Sequence, residues 1–389
     1  MSAATVTPTP TPTAALSRPV PWYVWCGAAA VTFAMVGTHW DISWHRSIGR
    51  DSFWTPAHIA IHLCGVLAGI SCGYLILSTT LNRRSPLRQC SVTMWGFRGP
   101  LGAFLSAWGG VAMITSAPFD NWWHNAYGLD VKILSPPHMV LAAGILAVHV
   151  GALILILGQM NRASGAERSR LHALFLYVGG MILVTLTVVQ MEITSRSLMH
   201  TAHFYRVVAL VAPLILAAVA RASSYRWAAT SVAGVYWVFV LVIGRILPLF
   251  PAVPKLGPVN HMVTQFVPPE FPLLLIVPAF ALDLLWQRTS HWGGWRQALV
   301  SGTVFLAVFA AVQWPFANFL MSPAARNWFF GAKYFGYYTA PSSIYARYLF
   351  FRTEPGTAFW MEAALGLATA ILGMRLGLAW GNWMRLIKR

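Results

Sequence analysis

Long apolar runs alternating with short polar connections dominate the chain, and their lengths match membrane-crossing helices rather than surface strands. Taking about 17–25 residues per crossing, spans are expected near 22–40, 57–79, 100–118, 136–158, 171–191, 203–220, 227–245, 270–287, 297–316 and 357–374. The pattern predicts an all-α, polytopic transmembrane helical bundle, its ten spans forming five out-facing hairpins. Residues 1–20, with "TPTPTPTAAL", read as a disordered Pro/Thr-rich tail. This segment lacks the basic start and short apolar stretch of a cleaved signal, so the first span is expected to stay as an anchor. Residues 21–374 form the membrane domain, and 375–389 a basic tail.

Composition agrees: 57% of residues are apolar and 10% charged. The net charge of +17 would suit nucleic acid, but the basic residues sit in alternate connections. Arg83, Arg84, Arg88 and Arg98 share one, Arg162, Arg168 and Arg170 another, and Arg221 with Arg226 and Arg288 with Arg296 two more. With Arg18 and the C-terminal tail, sixteen of 27 Lys and Arg fall on that side, four of the remaining eleven lying in the long 317–356 connection. Basic loops stay inside. Nucleic acid is therefore excluded as a partner, the lipid bilayer of a bacterial-type cell membrane is expected, and both termini are assigned to the cytoplasm.

Against that frame the histidines are unevenly placed. His39, His45, His58, His62, His124, His138, His200, His203 and His261 fall near the outer face, while His149, His172 and His291 lie deep or inside. Cys26, Cys64 and Cys72 fall within spans and Cys90 in an inner loop; without C-x-x-C spacing they read as buried thiols.

The outer-face chemistry concentrates in an internal repeat. "DISWHRSIGRDSFWTPAH" and "DNWWHNAYGLDVKILSPPH" share Asp-x-x-Trp-His, Gly-x-Asp and Pro-x-His, in the hairpins 21–79 and 100–158. Four of the five aspartates of the chain lie in these two stretches. Asp41 and His45, like Asp120 and His124, are four apart, one turn along a helix face. His58 and His138 follow a proline suited to a first helical turn, so each returns facing the outgoing pair. Each hairpin can thus close a carboxylate and two imidazoles around one ion, at the outer, periplasmic side. One oxygen and two nitrogens suit copper(II), zinc, iron(II) or nickel rather than calcium or magnesium. The alternative is a hydrogen-bonded Asp–His cluster.

His62, one turn after His58, is a fourth candidate ligand; Ala142 stands at the matching place in the second copy. Asp51 and Asp130 could accept from a ligand imidazole or could simply hold a turn. Glu192, His200 and His203 form a weaker polar cluster, with a structural role the leading expectation, and His261 and Glu270 a weaker one still. The aromatic residues of 317–356 (Trp328, Phe329, Phe330, Tyr334, Tyr337, Tyr338 and Tyr345) read as an interfacial belt or, less simply, a lid.

The stretch Asp41–His58, with "RDSFWTPAH", resembles the metal-binding segment of the C subunit of particulate methane and ammonia monooxygenases, members of the copper membrane monooxygenase superfamily. That family carries Asp-x3-His-x12-His at the outer end of its membrane helices. Asp41, His45 and His58 match without adjustment; Asp120, His124 and His138 match with one inserted residue. The likeness covers about 20 residues per copy, a local match. It implies copper held by Asp41, His45 and His58 as the catalytic site, oxygen-dependent hydroxylation of a small apolar or ammonia-like substrate, other membrane subunits, and a quinol electron donor. Two other readings stand beside this oxidoreductase: a metal or proton transporter or metal-delivery protein, suggested by the repeat, and a structural subunit of a membrane complex. Against transport, the candidate ligands crowd one surface, and apart from Asp283 near the inner end few ionisable residues lie deep in the spans to form a pathway.

Overall fold

A computed structural model of the chain describes residues 19–49, 54–128, 135–191, 193–255, 263–325, 327–330 and 352–388. Among the described residues the chain forms ten α-helices: α1 Trp22–Ser47, α2 Pro56–Leu81, α3 Leu101–Tyr127, α4 Pro136–Met160, α5 Gly165–Val189, α6 Ala202–Ser223, α7 Ala228–Ile246, α8 Ile276–Thr289, α9 Gly294–Met321 and α10 Gly356–Met384. Eight of these are long and apolar enough to cross a membrane, which makes the chain an all-α polytopic membrane protein.

Two of the ten expected spans differ from that description. α1 has the length, but Trp, Tyr, Gly and His residues dilute its apolar run, and it is not among the eight. α8 has only 14 residues, because Pro268, Pro269 and Pro272 keep the preceding apolar segment out of a helix. That segment still packs inward: Leu273 and Leu275 are buried, and the Tyr236 hydroxyl accepts the Leu273 N–H at 3.0 Å. A second departure lies in the basic connection between α2 and α3. Strands β1 Val92–Met94 and β2 Phe97–Gly99 pair antiparallel, Met94 opposite Phe97. Trp95 and Gly96 both have positive φ, as a two-residue hairpin turn of the I′ type requires.

α1 packs on α2 and α3 on α4, and the two hairpins join through α2–α3 and α1–α4 contacts. Lipid offers little hydrophobic drive for helix association, so close packing relies on small residues. Gly37 is the instructive case. A Cβ there would lie 2.6 Å from Ile61 N and 2.9 Å from Ala57 O, so α1 and α2 touch backbone to backbone one turn below Asp41. On the far side of the bundle, α10 lays the ladder Gly373, Gly377 and Gly381 against α6, where Leu214 O and Ala218 O would meet any added side chain. The outward face of α2 (Leu63, Val66, Ile70, Tyr74, Leu77, Leu81) is exposed and apolar, as a lipid-facing stripe should be.

The C-terminal residues lie at one end of the bundle. Asn161 donates to Met384 O and Ile387 O at 3.2 and 2.7 Å, Arg162 binds Lys388 O, and Gln159 binds the Tyr23 hydroxyl at the start of α1. The repeat motifs occupy the opposite ends of α1–α4. Asp283 binds across helices as well: its carboxylate accepts Ala229 N, Thr230 N and the Thr230 hydroxyl at 3.2, 2.8 and 2.6 Å. It serves as an N-terminal cap for α7.

Candidate metal centre

Each repeat folds as its residues dictate. α1 continues past the apolar run to Ser47, so Asp41 and His45 stand one turn apart on its last two turns. Thr55 caps the next helix, its hydroxyl accepting the His58 N–H at 3.2 Å, and Pro56 opens the first turn. His58 therefore sits in the third position of a fixed helix start. In the second repeat Ser135 precedes Pro136, and His138 takes the same third position without a side-chain cap. Asp120 and His124 ride on α3, which carries Pro118 inside it.

In the first repeat, His58 Nε2 lies 3.0 Å and His45 Nε2 3.5 Å from the same oxygen, Asp41 Oδ1. In the second, His124 Nε2 lies 3.2 Å and His138 Nε2 3.5 Å from Asp120 Oδ1. Among the described residues, Asp41, His45 and His58 alone bring three donor atoms within 4.8 Å of one another; the second trio is looser. The His124 Nδ1 lies 3.3 Å from Gly128 O, which fixes that ring toward the end of α3.

Asp41 Oδ1 and Asp120 Oδ1 are both buried, and each is faced by two imidazole Nε2 atoms. A buried carboxylate oxygen without such partners would cost at least about 1–3 kcal/mol. Here each oxygen sits where two imidazole nitrogens converge, an arrangement that suits a shared cation.

The two trios are neighbours. The Asp41 carboxylate feels His45 and His58 and also His138 of the other repeat, and His62 feels both His58 and Asp120. His62 falls outside the three-donor grouping, one turn further along α2 between the trios. Asp51 and Asp130 lie outside the described residues, as do Glu192 and His261.

The weaker cluster separates. His200 Nε2 bonds Asn318 Oδ1 at 2.8 Å and its ring stands edge-on to Trp314, whereas His203 faces Glu362 on α10 at 3.3 Å. Arg206 holds that same carboxylate oxygen at 3.0 Å, which leaves the group poorly suited to a metal. Glu354 accepts the Ala202 and His203 N–H groups at 2.8 and 3.2 Å, placing negative charge on the start of α6. Glu354, Glu362 and Asn318 were not singled out from sequence; their partners lie over a hundred positions away, with no local signal. Glu270 pairs with Arg196 at 3.1 Å. Of the aromatic connection, Trp328, Phe329 and Phe330 are described; Phe330 packs on Phe319, and Arg245 lies over Trp328 and Phe329. Tyr334, Tyr337, Tyr338 and Tyr345 lie outside the described residues.

Comparison of the chain with protein families, with curated proteins and with solved structures finds no match.

Proposed function

We propose that this protein is a metal-binding integral membrane oxidoreductase, or the metal-binding subunit of one, with copper as the ion. The observation that carries the reading is the convergence in each repeat of two imidazole Nε2 atoms on one buried carboxylate oxygen, compact enough in the first to bring three donor atoms within 4.8 Å of one another. One anionic oxygen and two nitrogens suit copper(II), with zinc and iron as the competing ions. Asp41, His45 and His58 would hold the ion most tightly, being the compact trio. Asp120, His124 and His138 would hold a second, weaker one.

A bound copper ion would supply redox chemistry toward oxygen, in line with the local resemblance to the copper membrane monooxygenases and with hydroxylation of a small substrate. The chain's own residues set the conditions. Thr55 and Pro56 fix the backbone carrying His58, and Gly37 lets α1 and α2 approach closely enough for three side chains from two helices to converge. The half-buried position of Asp41, 21% exposed, leaves an access route from the outer side while shielding the charge. A quinol electron donor, partner subunits and an outward-facing, periplasmic site belong to the same proposal. Against transport, Asp283 is spent on capping α7.

Elemental analysis of detergent-purified protein tests the reading. Copper retained by the wild type and lost on His58→Ala supports it; equal metal content in both refutes it.

A further inference from the structure

A cavity of about 80 Å³ lies between α1, α5, α7 and the extended segment before α8. On that measure a water needs about 10–15 Å³, so the space admits about five to eight non-hydrogen atoms, enough for a single small ring. Ile42, Val188, Val240 and Leu273 contribute apolar wall. Helical geometry puts His39 and Ile42 roughly a third of a turn around α1 from Asp41 and His45, so the cavity opens on a different face from the metal trio. The inference therefore does not rest on the metal reading.

Two polar groups on this wall are each half satisfied. His39 is 4% exposed; its Nδ1 lies 2.8 Å from the Met35 carbonyl and must carry the hydrogen, leaving Nε2 as an acceptor. The ring is held edge-on against Phe239. No donor to Nε2 is found among the described residues. The Tyr236 hydroxyl accepts the Leu273 N–H, so its own hydrogen points elsewhere, and no acceptor for it is found among the described residues. The other polar linings are engaged: Thr187 and Thr194 bond carbonyls of their own segments, and Glu270 is neutralised by Arg196. The cavity thus offers one acceptor and one donor in a mostly apolar space. That is the complement of a single hydroxyl group, and it disfavours a charged ligand, since Glu270, the charged residue of the described lining, is already paired with Arg196.

We propose that this cavity binds a small uncharged molecule with a compact apolar body and one hydroxyl. The hydroxyl donates to His39 Nε2 and accepts from the Tyr236 O–H, while the body packs on Val240 and Leu273. The full-length protein in detergent is titrated with 4-fluorophenol and, separately, with 4-fluorotoluene of the same shape, each followed by fluorine NMR. Saturable binding of the phenol at least ten-fold tighter than that of the toluene is expected. Val240→Trp, which fills the space, abolishes it, and Tyr236→Phe and His39→Leu each remove most of the preference for the hydroxyl. Circular dichroism and size-exclusion behaviour establish that each variant folds; Tyr236→Phe, the smallest change, decides the matter if the others do not fold. Absence of saturable phenol binding, equal binding of both probes, or a preference unchanged in Tyr236→Phe overturns the proposal.

Discussion

The Thr55 hydroxyl accepts the backbone N–H of His58 at 3.2 Å, so the residue that caps α2 also fixes the histidine that meets Asp41 across the hairpin. Removing that hydroxyl should cost helix and site together. Thr55→Ala is expected to lower stability by about 1 kcal/mol and to weaken metal binding, while Thr55→Ser preserves both. Denaturant unfolding and metal titration of the three proteins check this.

Asp41→Asn separates a metal site from a structural ion pair. Asp41 Oδ1 is buried, but His58 at 3.0 Å and His45 at 3.5 Å face it, so in metal-free protein the imidazoles offset the cost of burying its charge. The metal-free variant is expected to lose no more than about 1 kcal/mol relative to metal-free wild type, the worth of a partly exposed ion pair. The variant should also lose the stabilisation that excess metal confers, about 2.7 kcal/mol at a hundred-fold excess over Kd. Thermal unfolding with and without copper reads both effects; a large loss of stability in the metal-free variant would mark the trio as structural.

Gly37 offers a test that leaves every candidate ligand in place. An added methyl would lie 2.6 Å from Ile61 N, closer than packed atoms allow, so α1 and α2 must separate one turn below the site. Gly37→Ala is expected to reduce metal retention at the first trio, with less effect on the second. Gly234, where an added Cβ meets nothing within 4 Å, is the control, and Gly234→Ala should leave metal content unchanged.

The His200–Asn318 pair should behave as packing. His200 is buried, bonded to Asn318 and set against Trp314. His200→Ala is expected to destabilise the protein by about 1–3 kcal/mol, the cost of stranding a buried partner, with metal content unchanged. Loss of metal in a folded His200→Ala protein would tie this cluster to the site.

Much of this arrangement was legible in the sequence because the signals are local. The run lengths gave the helices, Asp-x3-His gave a shared face, and Pro56 and Pro136 marked helix starts that put His58 and His138 opposite their partners. The extension of α1 to Ser47 was harder to see, since its last turns are polar and helical by tertiary contact. Ser43 and Ser47, for example, bond Val267 of a distant segment. The shortness of α8 could have been read from its prolines, and the β1–β2 turn from Trp95-Gly96, had hydropathy not dominated both regions. The pairing of the two trios, and the glutamates that hold α6 and α10 together, depend on helix packing across the bundle. No spacing along the chain encodes them.

The central claim is most directly tested by measuring metal per chain in purified wild type, His58→Ala and His138→Ala. The account predicts bound copper in the wild type, most of it lost in His58→Ala and a smaller share lost in His138→Ala. Wild-type protein that takes up no metal when supplied with copper, or variants that hold as much as the wild type, would contradict it.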